Sequence, residues 1–163
     1  MEAVIRKATL DDVEAIVYVG HRTWPLAYAG LAGDDYVAMG LAKWWTVEAT
    51  TPLVEANRCT VAQVEGQVVG VAAAGPLDGE LVLWKLYVVP EHQGRGIGGQ
   101  LLDRVLADAA LTGYRDVRLA YLDGNTRGAR FYRDRGFVEI GREGGGDGIP
   151  DSVWVRRELG EPR

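Results

Sequence analysis

Along the first third of the chain, apolar positions change from a short alternating run to helical spacing. Residues 4–8 predict a first strand, and Thr9, with Asp12 three residues on, resembles a helix N-cap ahead of Val13, Ile16 and Val17. That spacing predicts a helix to about Tyr28, and Tyr36, Val37, Leu41, Trp44 and Trp45 predict a second, aromatic-rich one. A hairpin follows: two short apolar runs, 60–64 and 68–74, flank the turn dipeptide Glu65-Gly66. A third strand, 80–89, stops at Pro90. Beyond it Ile97, Leu101, Leu102, Val105, Leu106 and Ala109 fall on one face of a long helix ended by Gly113. Val117, Leu119 and Tyr121 alternate as a strand, 125–135 reads as a short helix closed by Gly136, and 137–141 and 152–157 read as a closing strand pair around the glycine-rich loop 144–150. Local hairpins plus one crossover imply an α/β (α+β) fold, a mixed sheet with helices on both faces.

Composition narrows the class. The 163 residues suit a single domain, and 47% hydrophobic with 25% charged residues is the balance of a globular chain, neither disordered nor membrane-spanning. No apolar run reaches 18 residues and the start, MEAVIRKATLDD, lacks a basic leader or an apolar signal core, so a cytoplasmic protein without a membrane partner is expected. Cys59 is the sole cysteine, and with only His21 and His92 to join it no metal site is expected. The net charge of -5 opposes nucleic-acid binding. Locally the balance reverses: from Lys85 to Arg135 nine bases face six acids, a net of +3, leaving -8 elsewhere. An anion site in that segment and arginines on solvated helix faces explain this equally well.

The chemistry concentrates in Gln93-Gly94-Arg95-Gly96-Ile97-Gly98-Gly99, a strand-to-helix junction whose glycines let backbone N–H groups approach a phosphate. A P-loop requires Gly-Lys-Ser/Thr, and Gly98-Gly99-Gln100 does not supply it. Gly94, Gly96 and Gly99 match the dinucleotide spacing, but Pro90-Glu91-His92-Gln93 separates them from the strand and most of a domain precedes them.

A third reading comes from resemblance. Leu86-Tyr87-Val88-Val89-Pro90 followed by QGRGIGGQLL resembles the acetyl-CoA loop, (Gln/Arg)xxGx(Gly/Ala), of the GCN5-related N-acetyltransferase (GNAT) superfamily. Asn125 to Tyr132 (NTRGARFY) and Gly136-Phe137 resemble its second signature, and with the opening IRKATLDDVEAI the likeness covers nearly the whole chain. It implies a single domain with a mostly antiparallel sheet splayed between two central parallel strands, and acetyl-CoA in the wedge between strands 80–89 and 116–121.

The resemblance also implies roles. Backbone amides of Gln93, Gly94, Arg95, Gly96, Ile97 and Gly98 would hold the pyrophosphate, with Arg95 adding charge, and main-chain atoms of Tyr87, Val88 and Val89 would pair with the pantetheine arm. Asn125 would bond the coenzyme near its thioester end, a role compatible with capping the helix behind it. Tyr132 matches the tyrosine that often stands beside the coenzyme sulfur as general acid. The family's usual glutamate position aligns with Val82; Glu80, two residues earlier on the same strand face, is the substitute base, or else an exposed strand-start carboxylate. His92 is read as a turn residue, His21 as structural or acceptor-facing, and Cys59 as packing. Trp24 and Tyr28, with Tyr36, Trp44 and Trp45, fall where the family lines its acceptor groove, though core packing accounts for the same rings. The expected function is acetyl transfer from acetyl-CoA to a small-molecule or peptide primary amine by direct attack, without metal. A non-catalytic acyl-CoA-binding module is the alternative, and dimers, frequent in the family, leave a homodimer open.

Overall fold

The computed structural model describes residues 2–160. Its elements are β1 (Val4–Lys7), α1 (Val13–Ala32), α2 (Asp34–Trp44), α3 (Val47–Glu55), β2 (Cys59–Val64), β3 (Gln67–Leu77), β4 (Glu80–Val88), α4 (Ile97–Thr112), β5 (Asp116–Leu122), α5 (Thr126–Asp134), β6 (Val138–Glu143) and β7 (Ser152–Glu158), with 3-10 turns at Leu10–Asp12 and Pro90–His92. The strands hydrogen-bond in the order β1-β2-β3-β4-β5-β7-β6. The pairs β1–β2, β2–β3, β5–β7 and β6–β7 are antiparallel and β4–β5 is parallel, so the fold is the mixed, mostly antiparallel α/β arrangement expected. The β4–β5 register is confined to Leu81↔Val117 and Val82↔Arg118, although the strands run nine and seven residues.

Two compact units make up the described chain. The first runs through Ala74 and takes in Lys85–Val105; the second holds Gly75–Trp84 and the residues from Leu106 on. In the first unit, Arg6 of β1 grips Asp12 through two hydrogen bonds, 2.7 and 2.9 Å, and Asp12 Oδ2 also accepts the Thr9 N–H at 2.7 Å. This realises the cap expected at Thr9, with a 3-10 turn between the cap and α1. The guanidinium holds the Asp12 carboxyl below its ordinary pKa.

Helix α1 runs past Tyr28 to Ala32 despite Pro25 within it. Helix α3 falls in a stretch for which the sequence pattern predicted no element. Thr46 caps it by accepting the Ala49 N–H at 3.1 Å, and buried Thr50 and Val54 anchor it.

The helices of this unit pack indole on bare backbone. A Cβ built on Gly40 of α2 would overlap the Trp24 ring, and one on Gly20 of α1 would overlap the Trp45 ring. These glycines therefore admit the two largest side chains of the core, Trp24 at 5% exposure and Trp45 at 1%. In the second unit, Leu119 faces Val155 across the β5–β7 ladder, and both are buried with Val117, Val153 and Phe137.

This packing reverses the usual rule for helix glycines. Gly30→Ala in α1, where an added Cβ meets nothing within 4 Å, should stabilise the protein by about 0.5–1 kcal/mol. Gly40→Ala should destabilise it by about 1–3 kcal/mol through overpacking. Urea unfolding of both variants checks the opposite signs, and a stabilised Gly40→Ala would contradict the packing account.

Candidate functional site

The strand-to-helix loop lies in the first unit. Gly94 (φ +78°) and Gly96 (φ +81°) take left-handed conformations that favour glycine. The Gly96 carbonyl accepts the Gln100 N–H at 3.0 Å and so begins α4. The amides of Ile97, Gly98 and Gly99 lie in the first turn, where a helix offers no carbonyl to receive them. Ile97 buries its side chain at 4% exposure and pins the turn, while Gln93, Gly94, Arg95 and Gly96 are exposed. A Cβ placed on Gly94 or Gly96 would project into open space, which is the space a ligand needs to lie against the bare backbone. The geometry fits a pyrophosphate at the amino end of a 16-residue helix.

The preceding segment is tied on both sides. Glu91 pairs with Arg22 of α1, and Arg22 Nη1 donates to Tyr18 Oη at 3.2 Å. Val89 donates its N–H to Val69 O on the β3 side at 2.9 Å and accepts the His92 N–H at 3.0 Å, so its main-chain groups are engaged within the chain. By the two-residue period of a strand, the groups of Val88 point to the opposite edge, where Val88 O accepts Gln93 Nε2 at 2.8 Å. Of Tyr87, Val88 and Val89, Val88 is thus the residue whose backbone meets that edge. The Tyr87 hydroxyl instead shares a 2.8 Å hydrogen bond with that of Tyr28.

In the second unit, Asn125 Oδ1 accepts the Gly128 N–H at 2.9 Å and caps α5. The cap occupies the carbonyl oxygen and leaves the Nδ2 hydrogens as donors. Tyr132 lies on α5, its ring parallel to Tyr121 at 6.3 Å and edge-on to Phe137 at 5.5 Å. Thr126, Arg127, Arg130, Phe131 and Asp134 line a hollow of about 300 Å³ on the same helix. Glu80 begins β4, with Arg118 of β5 at 3.5 Å; that arginine also pairs with Asp116 at 3.3 Å. Val82 is buried opposite Arg118.

The aromatic residues of α1 and α2 form one cluster in the first unit. Trp24 meets Tyr28 edge-on at 4.6 Å and stacks on Tyr36 at 5.6 Å, and Trp44 lies 5.6 Å away. Trp24 and Trp45 are buried, whereas Tyr28, Tyr36 and Trp44 are half-exposed and form the accessible rim. Burial raises the pKa of Tyr28 and Tyr36, keeping both hydroxyls protonated.

Residues 55–139 match the family model described as an acetyltransferase (GNAT) domain. An N-acetyltransferase of Mycobacterium tuberculosis, itself named as uncharacterised, is 31% identical over 132 residues, 78% of this chain and 84% of that protein. The chain belongs to the GNAT acetyltransferase family. A spermidine N(1)-acetyltransferase of Thermoplasma acidophilum is 23% identical over 143 residues, 84% of this chain and 89% of that protein. The PaiA N-acetyltransferase of Thermoplasma acidophilum, solved in complex with coenzyme A, shares the fold with a TM-score of 0.87 at 21% identity, covering 97% of this chain and 99% of that one.

Within this acetyltransferase the sequence reading passed over Lys85, which it counted only as one base in a basic segment. A lone lysine inside Leu81 to Val89, otherwise apolar apart from aromatic Trp84 and Tyr87, was the available signal. Arg118 was also missed as the partner of Glu80, because sequence spacing does not show which residue lies across a parallel ladder. Among the described residues, no group of three or more His, Cys, Asp or Glu is placed to hold a metal ion, and no helix is long and apolar enough to cross a membrane.

Coenzyme A at 100 times its dissociation constant should stabilise the protein by about 2.7 kcal/mol, a rise in Tm of roughly 5–10 °C. Gly96→Val should abolish the rise, since a β-branched residue is strained at φ +81° and fills the space over the amides. A thermal melt reads both, and an equal rise in the variant would remove the loop from the site.

Proposed function

We propose that the whole chain acts as one N-acetyltransferase domain, transferring the acetyl group of acetyl-CoA to a primary amine by direct attack. The observation that carries the reading is the loop, with its left-handed glycines, open space over the backbone and a long helix starting behind it. Amides of Gln93 to Gly98 bind the pyrophosphate with Arg95 adding charge, the Val88 edge of β4 takes the pantetheine arm as an added strand, and Asn125 Nδ2 donates to the coenzyme while its Oδ1 keeps the helix cap. Bound acetyl-CoA supplies the activated thioester.

Tyr132 holds the proton that leaves with the thiolate, an ordinary task for a phenol that is protonated at neutral pH. Glu80 removes the amine proton through water. Its neighbour Arg118 competes for the same carboxylate, and this favours the second reading, a binding module without turnover. The accessible rim of Tyr28, Tyr36 and Trp44, backed by Trp24, receives the acceptor. Spermidine, in the name of the Thermoplasma relative, and thialysine, in that of a Bos taurus relative 35% identical over 60 residues, make both amines the first acceptors to try. The proposed setting is cytoplasmic, with no nucleic-acid or membrane partner and a homodimer as an option.

Thiol release with an amine panel separates enzyme from binding module. Tyr132→Phe removes one oxygen and should lower turnover by about 10²- to 10⁴-fold while the coenzyme dissociation constant stays within about twofold. Near-normal turnover in that variant, with chemistry rate-limiting, would strip Tyr132 of the role. Glu80→Gln should slow the reaction most at low pH, where the amine most needs a base, and a pH–rate profile parallel to wild type would return Glu80 to its ion pair.

A further inference from the structure

Lys85 is a buried cation without an anion. Its ammonium donates to the Trp44 carbonyl at 2.7 Å and lies 4.0 Å from the centre of the Trp45 ring. Among the described residues no carboxylate pairs with it, and its side chain is 9% exposed. Trp44 ends α2 and Trp45 begins the corner to α3, so the contact ties β4 to that corner. The corner carries Trp44, 5.6 Å from Trp24, and Trp45, which meets the Tyr87 ring edge-on at 5.4 Å. Both indoles already carry a cation, since Lys43 sits 5.2 Å from the Trp44 ring.

Other titratable groups face this corner. Cys59 of β2 lies near Lys85, its thiol pushed up by burial, and Lys7 of β1 acts on Cys59. His21 of α1 bonds the Trp45 carbonyl at 3.0 Å through Nε2, and Tyr28 and Tyr36 complete the cluster. Burial pushes the Lys85 amine down to about 8. The folded chain therefore binds the Lys85 proton less tightly than the unfolded chain, and below pH 8 the buried charge costs stability. An apolar residue of the same length would avoid that cost. The cost points to a role other than stability.

We propose that Lys85 is a positioning residue for the acceptor amine, fixing the α2–α3 corner and through it the aromatic wall that receives the amine. The role rests on the acceptor reading of the preceding section. Lys85→Met keeps the length and apolar stem but removes the charge and the donor.

At pH 7 this variant should melt no lower than wild type, and any advantage should shrink as pH rises from 8 towards 10, where the wild-type lysine sheds its proton. Its KM for spermidine or thialysine should rise roughly tenfold, the loss expected for a charged hydrogen bond with a cation–π contact. Its kcat and its dissociation constant for coenzyme A should stay within about twofold of wild type. Lys85→Arg should recover part of the KM, and a Cys59→Ala background removes the neighbouring thiol from the pH series.

An unchanged acceptor KM in folded Lys85→Met overturns the proposal. A lower Tm at pH 7, with kcat, KM and coenzyme affinity all degraded together, overturns it in favour of a structural lysine. Wild-type protein that turns over neither amine removes the acceptor reading and this role together, whereas an active wild type with the variant KM unmoved removes the role alone.

Discussion

A strand edge is a row of N–H and C=O groups that must find partners, and the edge of β4 opposite β3 has few within the sheet. Its parallel ladder with β5 covers two residue pairs, Leu81↔Val117 and Val82↔Arg118. Further along β4, Gln93 reaches back to Val88 O, and Pro90, which has no N–H to leave unpaired, ends the strand. The loop that follows turns its next amides outward at the start of α4. A ligand with amide groups and a pyrophosphate answers both needs, the former by strand addition and the latter by the helix start. The coenzyme reading therefore depends on where the sheet stops pairing more than on the identity of any one side chain.

Packing in the first unit obeys a second constraint. Trp24 and Trp45 reach the core only because Gly40 and Gly20 remove a Cβ from the helix each ring lies against. The Trp24 ring then carries Tyr28, Tyr36 and Trp44 on its outer side, while Trp45 faces Tyr87 and Lys85. These rings are thus one aromatic body with a buried and a partly exposed side, and the proposed acceptor wall is the latter. Burial answers for Trp24 and Trp45 as core.

Strand 80–89 and the long helix ended by Gly113, which match β4 and α4 to within a residue, were legible because their apolar periods are clean. Helix α3 was not, since Thr46, Thr50, Thr51 and Pro52 carry loop chemistry and only tertiary burial of Thr50 and Val54 makes a helix of them. The loop at 93–99 was legible because glycine at defined spacing has few explanations. The neighbours that set each group's chemistry were not: Arg118 beside Glu80 lies across a parallel pair, and Lys85 under Trp45 joins residues 40 apart. Such pairings follow from register and helix placement, which no local pattern encodes.

The weak point of the chemistry is the base, and the structure offers a second way to supply a neutral amine. An amine of pKa about 10.4 is neutral in roughly one molecule in 2,500 at pH 7, so catalysis must either remove a proton or make the proton costly to keep. The aromatic cluster already does the latter to one amine, since burial beside Trp44 and Trp45 brings Lys85 to about 8. Burial in this cluster thus lowers an amine's pKa without any carboxylate. Desolvation of the proposed acceptor on the same rings would act in the same direction as the proposed base Glu80, whose carboxylate Arg118 shares.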